Sequence, residues 1–273
     1  MDFNNIDTLV KQYSVITEKI DTAILKTCLR SIDMTSLNHT DSEESIATFV
    51  NKINTLNDNL QFAAICVYPS FVKTVKKHLT SKTVKIAAVA GGFPSSQTFT
   101  DIKVAECKEA IKAGADELDI VILVGEFLAG EYDKVAGEIS KIKKEIGDIH
   151  LKVILETGTL KSPELIYKAS MLAMESGADF IKTSTGKTEP AATPEAFLVM
   201  ALAVRDFYNK TGKRVGLKAA GGISTANEAY IYYNIFEKVL GKEYINPNYF
   251  RIGASRLANN LLSEIEGKPV KIF

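Results

Sequence analysis

Apolar positions along the chain fall into two rhythms. Short runs are rich in β-branched and small apolar residues, and longer stretches repeat their apolar positions at helical spacing. The short runs at residues 30–35, 61–68, 85–90, 115–123, 150–157, 179–185, 214–220 and 250–253 predict eight strands. They follow one another at about 30 residues, the length of one βα unit. The stretches at 99–113, 132–146, 163–176 and 194–209 predict helices between them. Two of these open on helix-start chemistry: Ser162-Pro163-Glu164 and Thr193-Pro194-Glu195 each supply a cap, a first-turn proline and an acid. Residues 1–25 read as a helical extension ahead of the repeat, and 264–273 as a C-terminal tail.

One internal echo ties the repeat to a geometry. Ala113-Gly114-Ala115-Asp116 and Ser176-Gly177-Ala178-Asp179 each end a helix and open a strand, with glycine where the chain must turn through positive φ. Superimposing the echoes puts Asp119 and Lys182 at the same step of two strands with one strand between them. In an eight-stranded α/β barrel, alternate strands feed one interior layer, so the two charges are expected at one height. Eight repeats without a linker or low-complexity block predict one domain, 1–273, of the α/β class: a single (β/α)8 TIM barrel with an extra N-terminal helix. An open doubly wound sheet is the alternative, because counting repeats does not prove closure.

Composition narrows the classes of function. Of 273 residues 46% are hydrophobic, which supports a packed core over a disordered chain. Thirty-three Lys+Arg offset 33 Asp+Glu, so a nucleic-acid partner held on a basic face is not expected. No apolar run approaches the ~18 residues of a membrane span. The start, Met1-Asp-Phe-Asn-Asn-Ile-Asp7, has acids where a secretion signal has basic residues. Cys28, Cys66 and Cys107 are too scattered for a disulfide framework or zinc cluster. The expectation is a cytoplasmic protein with no membrane partner.

Chemistry is sought where charge interrupts apolar strands, since a buried charge is costly unless paired or placed in a wet site. Asp119, Lys182 and Lys218 stand out. The two lysines fall on neighbouring strands, six and seven, near the ends where barrel active sites gather. Gly216 and Ala220, two positions either side of Lys218, are expected to leave space around it. A lysine amine is nucleophilic only when neutral, and apolar surroundings with a second cation both favour that form. The trio therefore points to a lysine that attacks a carbonyl as a Schiff base. A structural ion pair with a second, solvent-reaching lysine is the competing reading.

Glycines cluster after the last three strands, in Thr185-Gly186-Lys187, Ala220-Gly221-Gly222 and Gly253-Ala254-Ser255. Bared backbone amides beside helix starts bind anions, and barrels often hold phosphate there. Read singly, each glycine is equally a turn residue. Ser184-Thr185-Gly186-Lys187-Thr188 imitates the end of a nucleotide-binding P-loop, but the leading glycine would have to be Ile181. His39, His78 and His150 lack zinc-site spacing, so no metal is expected. Cys28 and Cys107 read as core residues, and Cys66 as core or pocket wall.

Taken together, Phe180-Ile-Lys-Thr-Ser-Thr-Gly-Lys187, Gly216-Leu-Lys-Ala-Ala-Gly-Gly222, Asp116-Glu-Leu-Asp-Ile-Val121 and Leu151-Lys-Val-Ile-Leu-Glu-Thr-Gly158 resemble the deoxyribose-phosphate aldolases. Asp33-Met-Thr-Ser-Leu-Asn38, Ala64-Ile-Cys-Val-Tyr-Pro69 and Phe250-Arg-Ile-Gly-Ala-Ser255 extend the likeness in order, over nearly the whole chain. The resemblance implies a class I aldolase without metal or organic cofactor. Its reaction would be the reversible cleavage of 2-deoxy-D-ribose 5-phosphate to acetaldehyde and D-glyceraldehyde 3-phosphate. It makes Lys182 the Schiff-base lysine, Lys218 the second lysine and Asp119 the proton-relay carboxylate. It places Asp33, Thr35 and Cys66 along the substrate pocket. Gly186, Lys187, Gly221, Gly222 and Ser255 would grip the phosphate, and Thr185 and Gly253 would bind substrate beside them. A homodimer or homotetramer would fit the family, although no interface stripe stands out.

The chain departs from that pattern in two places. Some members carry Arg after Gly-Gly-x and Ser after the Ser255 position, where this chain has Ser224 and Arg256. A cation has thus changed loops, which leaves open whether Arg256 compensates. Some members end in a tyrosine implicated in proton transfer, whereas this chain ends Lys271-Ile-Phe273. Either another donor serves or the tail takes no part. Two rivals remain: a Schiff-base aldolase for another sugar phosphate, and a catalytically idle sugar-phosphate binder or scaffold.

Overall fold

The computed structural model describes residues 3–16, 18–57 and 60–273. Eight parallel strands, β1 (Ile32–Thr35), β2 (Ala64–Val67), β3 (Lys85–Val89), β4 (Glu117–Val121), β5 (His150–Ile154), β6 (Phe180–Lys182), β7 (Gly216–Ala220) and β8 (Phe250–Ala254), close into a barrel in chain order. Closure rules out the open sheet. Carried once around the barrel, the strand registers accumulate an offset of eight residues. That stagger is the shear of a (β/α)8 barrel.

Helices cover the outside. The expected caps form: the Ser162 hydroxyl accepts from the Leu165 amide at 3.2 Å to start the helix Pro163–Glu175, and Thr193 does the same for Ala196 at 3.2 Å to start Pro194–Thr211. Gly114 (φ 115°) and Gly177 (φ 104°) make the two echoed turns, which a residue with a Cβ would make under strain. Between helices and sheet lies one apolar layer, to which Ile65, Ile86, Leu118, Leu151, Ile181 and Leu217 point outward from successive strands. Each such buried side chain contributes about 1.5–3 kcal/mol.

The chain ends differ from expectation. Two helices, Ile6–Tyr13 and Thr22–Arg30, replace the single extension over 1–25, because the Asp21 carboxylate accepts from the Ala23 amide at 2.8 Å and starts a new helix. That second helix runs through Arg30, so β1 begins at Ile32 and not at residue 30. At the other end the helix Leu257–Glu266 takes the first residues assigned to the tail, and the remainder is pinned. Asn259 accepts from the Ile272 and Phe273 amides at 2.9 and 3.2 Å, and the Phe273 ring sits edge-on to Phe49 and Phe62. Among the described residues no helix is long and apolar enough to cross a membrane.

Candidate active site

Residues two apart along a strand share a face, and the strand registers sort the inward set into stacked layers of four. The floor holds Ala64, Glu117, Phe180 and Arg251; above it come Asp33, Ala87, Lys152 and Lys218; above those Cys66, Asp119, Lys182 and Gly253; and at the mouth Thr35, Val89, Ile154 and Ala220. Asp119 and Lys182 thus share a layer, as the internal echo implies. Lys218 pairs with Lys182 across neighbouring strands.

Seven charged side chains fill these layers, all but excluded from solvent. Asp119 is their hub. Its Oδ2 accepts from Lys182 Nζ at 2.9 Å and from Lys218 Nζ at 2.8 Å, while Oδ1 accepts from Lys152 Nζ at 2.9 Å. Lys218 Nζ also lies 2.5 Å from Asp33, and Lys152 Nζ 2.6 Å from Glu117 and 3.7 Å from Asp33. Arg251 closes the floor, 2.5 Å from Asp33 and 2.8 Å from Glu117.

Three carboxylates therefore face four basic groups, among the described residues, and the surplus falls on Lys182. It touches one carboxylate, whereas Lys218 touches two and Lys152 three. Burial, reinforced by the Lys218 charge and only partly opposed by Asp119, lowers the Lys182 amine below the ordinary lysine range. Burial pulls Lys218 and Lys152 the same way, but their carboxylate neighbours outweigh it and raise both ammoniums. Burial would raise Asp119, yet three lysines hold its carboxyl well below its usual value. Lys182 is thus the one amine of the three whose surroundings favour the neutral form.

The space around the lysines is shaped differently from expectation. A Cβ on Gly216 would strike the Phe180 ring at 2.2 Å, so the room left by Gly216 belongs to Phe180 and not to Lys218. Gly253 makes room for Lys218 instead, since a Cβ there would meet Lys218 Cε at 3.0 Å.

A cavity of about 420 Å³ opens at the mouth with Lys182 at its base. Thr35, Thr185, Gly186, Lys187, Gly221, Gly222, Gly253 and Ser255 line it. Asp33, Cys66, Asp119 and Lys218 do not reach its wall and lie in the packed layers. Burial pushes the Cys66 thiol up, so it stays protonated. Among the described residues, no carbonyl or side chain accepts from the amides of Gly186, Gly222 or Ser255, which leaves them open to an anion. Gly221 (φ 88°) must be glycine, because a Cβ would come within 2.6 Å of Ala191. The Ser224 amide and hydroxyl are taken by Glu228 at 2.8 and 3.2 Å, while Arg256 lines the cavity.

Sequence reasoning passed over four participants. Glu117, Lys152 and Arg251 interrupt apolar strands as plainly as Asp119 does, two positions from inward residues or across from them. The fourth is Glu156, whose carboxylate accepts from the Thr185 amide (3.1 Å) and hydroxyl (2.6 Å) and fixes the loop after β6. Its backbone is left-handed (φ 56°), and no sequence signal marks that.

Comparison with known proteins shows which family the chain belongs to. Residues 27–231 match the profile of the DeoC/LacD family aldolases. The chain is 39% identical over 249 residues to the deoxyribose-phosphate aldolases of Mus musculus and Homo sapiens, covering 86% of this chain and 77% of each relative. Among solved structures, the aldolase QR15 is 33% identical, with a TM-score of 0.71 over 88% of this chain and 96% of that one. The tetrameric deoxyribose phosphate aldolase of Aeropyrum pernix has the same fold at 23% identity, with a TM-score of 0.69 over 93% and 96% of the two chains.

Proposed function

We propose, starting from the fact that the chain belongs to the DeoC/LacD aldolase family, that it cleaves 2-deoxy-D-ribose 5-phosphate reversibly through a Schiff base on Lys182. The observation that carries this reading is a neutral-leaning amine at the base of a cavity whose lining offers the unpaired backbone amides of Gly186, Gly222 and Ser255 to a phosphate.

Lys182 Nζ attacks the C1 aldehyde to give a carbinolamine, which loses water to an iminium. Loss of the C3 hydroxyl proton breaks C2–C3. The bond's electrons pass into the iminium, so an enamine forms in place of a bare carbanion, and D-glyceraldehyde 3-phosphate leaves. Protonation of the enamine at carbon and hydrolysis of the new iminium release acetaldehyde and restore the amine. In the free enzyme Lys218 is an ammonium and keeps Lys182 neutral. Sharing Asp119 Oδ2 with Lys182, it passes a proton through water to the departing hydroxyl and regains one by the same route from the C3 hydroxyl. Asp119, ionised throughout, holds both amines at the reacting carbon. Gly186, Gly222 and Ser255 amides take the phosphate, with Lys187 and Arg256 as its cations. The Aeropyrum pernix relative is tetrameric, and we extend a homo-oligomeric state to this chain, to be read by light scattering.

The test is acetaldehyde with borohydride. A reduced two-carbon adduct on Lys182, together with turnover of 2-deoxyribose 5-phosphate, is expected. Turnover without label at Lys182 would overturn the assignment.

A further inference from the structure

The chemistry above leaves Arg251 unused, two layers beneath Lys182. Its guanidinium donates to Asp33 Oδ1 at 2.5 Å and to both Glu117 oxygens at 3.2 and 2.8 Å, its Nε donates to the Pro247 carbonyl, and its Cζ lies 5.6 Å from the centre of the Phe180 ring. A guanidinium does not give up its proton in a protein. With Arg251 permanently charged, two ammoniums suffice to neutralise Asp33, Glu117 and Asp119, and the third lysine is surplus.

We propose that Arg251 is a positioning residue for the aldol reaction: its fixed charge obliges one interior lysine to be an uncharged amine, and Lys182, with a single carboxylate contact, is that lysine. This inference rests on the Schiff-base reading. The groups facing Lys182 are consistent with it. β4 presents Asp119, β5 Lys152, β7 Lys218, β1 Asp33 and β2 the protonated Cys66. At the mouth Glu156 is committed to Thr185, and Lys187 Nζ donates to the Leu37 carbonyl. Below Arg251 a cavity of about 390 Å³ brings Arg30, Lys85, Asp116 and His150 near the floor, where solvent screens them.

The experiment compares the full-length chain with Arg251→Met and with Arg251→Met/Glu117→Gln. It reads the pH dependence of kcat/KM for 2-deoxyribose 5-phosphate cleavage and of borohydride-trapped acetaldehyde adduct at Lys182. Removing the fixed cation alone makes all three lysines necessary. The acid limb of both profiles should then move up by about one pH unit, a tenfold loss below the limb, with the alkaline plateau kept. Removing Glu117 as well restores the count, and the limb should return to that of the unmodified chain. A limb unmoved in the single variant, or displaced as far in the double, would overturn the proposal, since mere loosening of the floor predicts the double to be worse. Should the single variant not fold, the double decides alone: a coincident limb supports the inference and one displaced by a unit overturns it. Absence of any adduct in the unmodified protein refutes the Schiff-base reading, whereas adduct with coincident limbs in all three proteins refutes only the role of Arg251.

Discussion

The two faces of the same eight strands obey opposite rules. Outward, Ile65, Leu118, Ile181 and Leu217 meet the helices in a layer without a charge from the strands. Inward, one residue away, Asp119, Lys182 and Lys218 stand in a lattice of ion pairs. The outer face uses non-directional burial, which is tolerant of detail and proportional to area. The inner face buries charge, which is destabilising unless every partner is present. The outer face therefore holds the barrel closed, and the inner face uses that rigidity to hold Lys182 among groups that weaken its hold on a proton.

Substitutions on the two faces should separate activity from stability. Lys182→Met is expected to lower kcat by on the order of 10⁴- to 10⁶-fold while leaving the melting temperature unchanged or higher. It removes the surplus base and leaves three cations for three carboxylates. The sign follows from linkage: a lysine with a depressed folded value opposes folding at neutral and lower pH, and that opposition fades as pH rises toward the unfolded value. A fall of several degrees at pH 7 would contradict the charge count.

Asp119→Asn should show the reverse combination on the same face. It strands three lysines around one lost partner, and denaturant titration should find about 3–5 kcal/mol lost, together with activity. Ile181→Ala, the neighbour of Lys182 that points outward, should lose about 2–5 kcal/mol with kcat/KM nearly unchanged below the melting range. An activity loss in Ile181→Ala as large as in Lys182→Met would break the division between faces.

The smallest effect concerns acid. Asp33, Glu117 and Asp119 all have lowered folded values. Their contribution is in full force above the unfolded carboxylate range near 4 and is lost only as pH falls through the folded values. Stability should therefore change little on this account between pH 7 and 5, and Asp119→Asn should abolish part of the fall seen below 4. A steep loss between pH 6 and 5 that disappears in Asp119→Asn would contradict the assignment.

Much of this contrast is legible in the amino-acid order. Alternation along the strands gives the inward and outward sets, and the Gly-Ala-Asp echo sets Asp119 level with Lys182 before any register is known. The same alternation would have found Glu117, two positions before Asp119, and Arg251, two before Gly253, had charge been followed along every strand. Other features depend on neighbours that only folding brings together. Gly216 lies under Phe180 because of the register between β6 and β7. Glu156 reaches Thr185 through a left-handed turn that its residue type does not announce. The break in the N-terminal extension depends on whether Asp21 caps a new helix or continues an old one, and the residue types before it support either.

The central claim is a protonation state: among three lysines buried in one barrel, the amine at the cavity base is the uncharged one. Selective ε-carbon labelling of lysine, with NMR titration and a Lys182→Met spectrum for assignment, reads it directly. The resonance of Lys182 should titrate below the ordinary lysine value near 10.4, while Lys152 and Lys218 remain ammonium past that point. A Lys182 resonance that titrates at or above the ordinary value, or a Lys218 that loses its proton first, would contradict the account.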